Sequence, residues 1–230
     1  MKNLTIVLMM TLFPLVTTAQ PLSNLFPTAS DIGNPKLKGK VVYDQGSQTW
    51  LLEGSGYNMW NKRDEFFFLS RRLSGDALLS ANLNFPEKGV EPHRKAGLMF
   101  RASLEEDAPY VDVAIHGDGL TSIQYRTEKG GETRELAAMV KSPEFVQLEK
   151  SGDTFILRVI SSKTPLDEVA SVKLRLPEEV FAGIFICSHN PDVLEKVRFS
   201  NVRLDIPAEM KGGEQAPPSP SRLEVLNVET

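Results

Sequence analysis

The stretch Tyr110-Val111-Asp112-Val113-Ala114-Ile115-His116-Gly117-Asp118-Gly119-Leu120-Thr121-Ser122-Ile123-Gln124-Tyr125-Arg126 holds two alternating runs on either side of a turn. Successive side chains of an extended chain point to opposite faces. Val111, Val113 and Ile115 therefore fall on one side, and Tyr110, Asp112, Ala114 and His116 on the other. Ser122, Gln124 and Arg126 oppose Ile123 and Tyr125 in the same way. Gly117-Asp118-Gly119 supplies turn chemistry, so the unit reads as a hairpin of two half-buried strands.

The same pattern continues outward in both directions. Ala77, Leu79, Ala81, Leu83 and Phe85 alternate with Leu78, Ser80, Asn82 and Asn84, and 66–69, 97–101, 145–150, 154–160, 169–176, 180–188 and 197–206 are further strands. Gly54-Ser55-Gly56, Ser74-Gly75-Asp76, Lys129-Gly130-Gly131 and Ser151-Gly152-Asp153 punctuate them. Helical periodicity is nearly absent. About ten strands at this spacing predict an all-β protein, an antiparallel sandwich or barrel.

The 230 residues are 41% hydrophobic, enough for a core without disulfides or metals. The 26 Lys+Arg and 30 Asp+Glu give a net charge of −4, which argues against nonspecific nucleic-acid binding. Cys187 is the only cysteine, so no intrachain disulfide can form. In the apolar run Ile184-Phe185-Ile186-Cys187-Ser188 it reads as a buried inert thiol; His189 would share its face, but nothing else suggests thiolate activation.

Residues 1–20 carry Lys2, an apolar run over 4–16, and small residues at Thr17 and Ala19 before a cut at Gln20. This is a signal-peptide pattern and predicts an exported protein, periplasmic or at the cell surface. A run of about 13 apolar residues is shorter than the roughly 20 of a spanning helix, so no membrane span is expected after cleavage. Residues 20–40 read as a lead-in and 41–206 as the sandwich. Eight of the fifteen residues in 207–221 are Pro, Gly or Ser, a linker composition. The alternating segment 222–230 then reads as a lone strand, which either pairs with the domain's edge or opens something longer.

Five motifs carry a resemblance to a known superfamily. They are Gly54-Ser55-Gly56-Tyr57-Asn58-Met59-Trp60, Asp64-Glu65-Phe66-Phe67-Phe68, Leu73-Ser74-Gly75-Asp76, His93-Arg94-Lys95-Ala96-Gly97-Leu98-Met99-Phe100-Arg101 and Tyr110-Val111-Asp112-Val113-Ala114. Over 41–206, and most specifically in the order of these motifs, the chain resembles the concanavalin A-like lectin/glucanase superfamily, nearest to the exported bacterial branch fused to TolB-type β-propellers. Residues 221–230 resemble the opening strand of such a propeller, which implies a truncated or split relative with a β-propeller protein as a partner. The resemblance implies a jelly-roll sandwich of two antiparallel sheets whose concave face holds a sugar chain in many relatives. Such relatives include both binding modules and hydrolases, so fold does not settle function.

If the segments around 101, 110–116 and 121–126 pair in order, Arg101, Tyr110, Asp112, His116, Gln124 and Arg126 share one sheet face. Carbohydrate hydroxyls want charged or amide partners and sugar C–H faces want a ring, so this set is a candidate glycan platform. The alternative is a solvated outer face with surface ion pairs such as Arg101 to Asp112.

The glucanases of the superfamily carry Glu-x-Asp-x-x-Glu on one strand, and this chain has no such motif. Glu105-Glu106-Asp107 reads as a loop charge run. A reaction of the keto-glycoside hydrolase type would use Asp112 or His116 as base and Arg101 as electrostatic stabiliser. His93, His116 and His189 lack short-range metal spacing. Asp118 suits calcium, as in some relatives, but a turn aspartate needs no metal; no other cofactor is expected. Trp60 is the one aromatic singled out as a stacking platform, while Phe66, Phe67 and Phe68 read as packing residues. No nucleotide-binding glycine loop, serine elbow or cysteine metal motif is present. The leading expectation is an exported noncatalytic glycan-binding module; the alternatives are the glycosidase and a structural module for a propeller partner.

Overall fold

A computed structural model describes residues 24–162 and 164–207. The expected signal peptide, the linker beyond Pro207 and the strand at 222–230 lie outside these residues. Sixteen strands follow in chain order: β1 (Thr28–Ile32), β2 (Lys40–Asp44), β3 (Thr49–Gly54), β4 (Met59–Trp60), β5 (Arg63–Asp64), β6 (Phe66–Ser74), β7 (Ala77–Asn84), β8 (Lys95–Arg101), β9 (Tyr110–His116), β10 (Thr121–Arg126), β11 (Arg134–Ala137), β12 (Phe145–Ser151), β13 (Thr154–Ser161), β14 (Thr164–Lys173), β15 (Glu179–Cys187) and β16 (Glu195–Asp205). Two seven-stranded antiparallel sheets form the body. Sheet A has the order β1-β6-β15-β8-β9-β10-β11, and sheet B has the order β14-β13-β12-β7-β16-β3-β2. The fold is an all-β jelly-roll sandwich. No described helix is long and apolar enough to cross a membrane.

Alternation builds the core. Leu98, Phe100, Val111, Val113, Ile184 and Ile186 of sheet A pack with Leu79, Ala81, Leu148, Phe155, Leu157 and Phe199 of sheet B. Phe100 and Phe155 meet between the sheets with ring centroids 5.9 Å apart. Burial of such apolar area is the main force closing the sandwich. Every long strand read from the sequence is present. The residues read as a lead-in also belong to the fold, since β1 pairs with β6 from Thr28↔Ser70 to Ile32↔Phe66. The short strands β1, β2, β3, β4, β5 and β11 are the ones the sequence reading missed.

β9 departs from the half-buried expectation, because all seven of its residues are buried. β8 is buried along its whole length as well. The cause is a second apolar layer on the outer face of sheet A, in which Ile32, Phe66, Phe68, Met99, Tyr110 and Phe185 pack with Met59. Met59 belongs to the small β4–β5 hairpin, so this hairpin folds over the outer face and takes it out of water. Its tip residue Asn61 sits at φ 56°, a left-handed position that asparagine tolerates better than most residues.

Gly97 lies between these layers, opposite Ala114 of β9. A Cβ there would fall 1.7 Å from the Val113 carbonyl oxygen, so only glycine lets β8 approach β9 this closely. Gly97→Ala is expected to lower unfolding stability by about 3 kcal/mol, the upper range for overpacking. Urea denaturation checks this, and a wild-type midpoint would show that β8 can shift without cost.

Candidate functional site

The register brings the six sequence-selected residues onto one face of sheet A. Arg101 lies opposite Tyr110 across β8 and β9. Gln124 lies opposite Asp112, and Arg126 opposite Tyr110, across β9 and β10. All six are buried, so the solvated-face alternative does not describe them. The face divides into two halves of different chemistry.

One half is closed by protein. Arg126 Nη1 and Nη2 donate to Asp64 Oδ2 and Oδ1 at 2.8 and 2.7 Å, a two-pronged pairing. Arg101 Nη1 donates to Asp64 Oδ2 at 2.7 Å, and its Nη2 donates to the Glu105 carbonyl. The ion pair imagined between Arg101 and Asp112 is thus replaced by one with Asp64, a residue four positions beyond Trp60 in the hairpin. Arg126 also reaches the carbonyls of Asn61 and Gly131 at 2.9 Å each. Tyr110 Oη donates to the Met59 carbonyl at 3.0 Å, and its ring lies 5.6 and 5.1 Å from the two guanidinium carbons. Burial, with the charges of Asp64 and Asp112, holds the Tyr110 phenol well above its usual range. Arg101, Tyr110 and Arg126 therefore fasten the hairpin.

The other half is polar and incompletely satisfied. Lys95 Nζ donates to Gln124 Oε1 and Asn58 Oδ1, each at 3.3 Å. Lysine can only donate, so it fixes which end of the Gln124 amide faces it. Gln124 Nε2 then donates to Glu135 Oε1 at 3.0 Å and to His116 Nε2 at 3.2 Å. His116 must accept there, which assigns its proton to Nδ1. Ser122 Oγ donates to the same Glu135 oxygen at 2.9 Å.

Among the described residues, four of seven buried side-chain polar atoms without a partner lie at this end: Asp112 Oδ1 and Oδ2, His116 Nδ1 and His189 Nδ1. Buried polar groups are ordinarily paired, so this concentration marks capacity left for something outside the described residues. Trp60 is half-buried above it, its ring centroid 5.8 Å from Lys95 Nζ. The three histidines meet here too, with His93 6.3 Å from His116 and 5.6 Å from His189 between ring centroids. His189 has φ 57°, an uncommon backbone state for a non-glycine residue.

Burial pushes the Asp112 carboxyl well above the usual carboxylate range, against the pull of Lys95. Burial, then Lys95, brings His116 down to about 4, and burial lowers His189. The Cys187 thiol is pushed up to about 11 by burial and is unreactive, as its apolar run suggested. Asp118 accepts the Leu120 amide at 3.0 Å, an ordinary turn contact. Among the described residues no three His, Cys, Asp or Glu side chains gather as a metal site.

Sequence reasoning missed Lys95, Asp64, Asn58 and Glu135. Alternation carried back from Arg101 through Met99 and Gly97 reaches Lys95, and carried back from Phe68 through Phe66 it reaches Asp64. The charge run 105–107 lies in the β8–β9 loop, where with Asp31, Gly33, Leu104 and Lys129 it lines a cavity of about 350 Å³. A second cavity, about 340 Å³, lies around 139–144 and 161–162. Neither touches the polar half of sheet A, and neither contains a partnerless buried group.

No family model and no curated protein matches the chain. Among solved structures it is similar to a functionally unknown protein from Saccharomyces cerevisiae, with 18% identity and TM-score 0.59 over 78% of this chain and 96% of the other. It is also similar to a xylan β-1,4-xylosidase from Bacillus halodurans C-125, with 15% identity and TM-score 0.52 over 76% of this chain and 35% of the other, so it spans about a third of that enzyme. These likenesses agree on the fold, an all-β sandwich of two antiparallel sheets.

Two outcomes test the geometry. Asp64→Ala leaves two buried guanidinium groups without their carboxylate and is expected to cost about 3–5 kcal/mol, read by urea denaturation. His116 is expected to titrate by NMR with a midpoint of about 4. A folded value below the unfolded one of 6.5 gives stability that is present above pH 6.5 and lost as the pH falls toward about 4. A midpoint near 6.5 would contradict the buried, neutral imidazole.

Proposed function

We propose that this protein is an exported, noncatalytic carbohydrate-binding sandwich that holds the end of a glycan chain at the His116 end of sheet A. The observation that carries the reading is the Asp112 carboxyl, buried with both oxygens unpartnered beside Lys95, Gln124 and His116. Sugar hydroxyls donate and accept at once, so successive units of one chain can serve Asp112, the His116 Nδ1–H and the remaining Lys95 proton. Trp60 offers a ring for the sugar's C–H face. The closed half supports recognition of a chain end: the hairpin held by Asp64 covers the Tyr110 side, and exposure rises only toward His93 and His189.

The noncatalytic reading rests on two features. Arg101, the stabiliser that a keto-glycoside reaction would need, is engaged by Asp64 and the Glu105 carbonyl. Asp112 and His116 lie four positions apart on one strand, about 13 Å at the usual rise, too far to act on one bond. Export rests on residues 1–20. The xylosidase likeness adds a neighbour whose substrate is a sugar polymer.

The test is a glycan array on the exported chain, followed by fluorescence titration of any hit. Trp50 is buried in the core and Trp60 is not, so binding is expected to change Trp60 emission, and Trp60→Phe to remove that change. Asp112→Ala is expected to weaken binding roughly tenfold or more. Asp112→Asn should lose binding while unfolding no more easily than wild type at pH 7. A raised carboxyl pKa gives stability present at low pH that is lost as pH rises, so removing the ionisable group costs nothing at neutrality. Binding unchanged in both variants would overturn the assignment, and product released from the bound glycan would replace it with an enzyme.

A further inference from the structure

Resting on the glycan-binding reading, we infer that the sugar recognised at this site carries an anionic group, a carboxylate or a sulfate, which pairs with the buried ammonium of Lys95. The inference starts from how the protein treats its other buried cations. Arg101 and Arg126 share Asp64, and Arg94 pairs with Glu195, all with almost no exposure. Lys150, at the strand's end, rests its ammonium on the Gly75 carbonyl at 3.0 Å. Lys95 is 2% exposed, yet it makes no ion pair with any described carboxylate, and its two contacts are neutral amide oxygens at the long end of hydrogen-bond range. A buried charge held this way is costly unless something pairs with it.

The surroundings lean the same way. The chain is net acidic, yet all three of its histidines collect around Lys95, and Trp60 adds a ring beside the ammonium. The acidic groups nearby are otherwise disposed. Glu135 holds Ser122 and Gln124, and Asp118 holds the Leu120 amide. Asp112 feels the Lys95 charge, but burial holds its carboxyl well above the usual range and no side chain pairs with it, so it is the group that neutral hydroxyls satisfy. One end of the face therefore holds an anion-seeking lysine and a hydroxyl-seeking aspartate, and a uronic acid carries both a carboxylate and ring hydroxyls. A sulfated sugar presents the same pairing.

The experiment compares three probes of equal length on the full exported chain: an oligogalacturonide, its carboxyl-reduced neutral galactan and a sulfated galactan. The expected result is at least tenfold tighter binding of one anionic probe than of the neutral one, with the preference shrinking in high salt. Lys95→Gln should bring the anionic probe down to the affinity of the neutral one, whatever that affinity becomes in this variant, and Lys95→Arg should retain the preference. Thermal unfolding of each variant confirms that it is folded. The anionic arm that binds tells carboxylate from sulfate. Equal binding of all three, or preference for the neutral probe, would overturn this inference and leave the glycan reading intact. If no probe binds and the array shows no hit, both fall together.

Discussion

The Asp64 carboxylate lies between the guanidinium groups of Arg101 and Arg126 with no exposure to water, and the hairpin that carries it is thereby fastened across sheet A. Three buried charges are costly to desolvate, and the cost is recovered only when geometry is good and the remaining donors are satisfied. Arg126 meets that condition, with carbonyls at Asn61 and Gly131 completing its fork. The same contacts set the hairpin tip and bring Met59 onto Tyr110. Without this cluster the second apolar layer would have no cover, and β9 would be the half-buried strand its sequence describes.

What the cluster closes also defines what remains open. The other half of the face is also buried but polar, and its hydrogen-bond capacity is only partly used. Gln124 organises it, since one amide takes Lys95 on its oxygen and gives to His116 and Glu135 from its nitrogen. That arrangement fixes the His116 tautomer and leaves Asp112 unserved. Native proteins concentrate such local costs where function needs them, so the unsatisfied end of the face is a better guide here than cavity size. The two cavities of about 350 and 340 Å³ lie elsewhere, without buried groups in need of partners.

Much of the fold was legible in the strands because sheets buried on one face write a period of two. Val111, Val113 and Ile115, or Leu79, Ala81 and Leu83, leave no other economical reading. The missed strands are short or mixed. β1 has one large apolar residue, Ile32, and β11 is a four-residue edge strand, half of it charged, whose Glu135 could not be placed without its partner Gln124. Six site residues could be gathered because neighbouring segments pair in order. Lys95 escaped because Gly97, two positions after it, interrupts the pattern, although Gly97 is the reason β8 lies so close to β9.

The sequence by itself determined the all-β class, the strand faces and the co-location of Arg101, Tyr110, Asp112, His116, Gln124 and Arg126, because alternation and local pairing are short-range and repeat along the chain. Only the tertiary structure decided that this face splits into a sealed half and an unsatisfied half. The split depends on Asp64 reaching residues 37 and 62 positions away. It also depends on three histidines from separate segments meeting beside Lys95. Contacts of that span follow from how the hairpin and loops fold over the sheet, which no periodicity encodes.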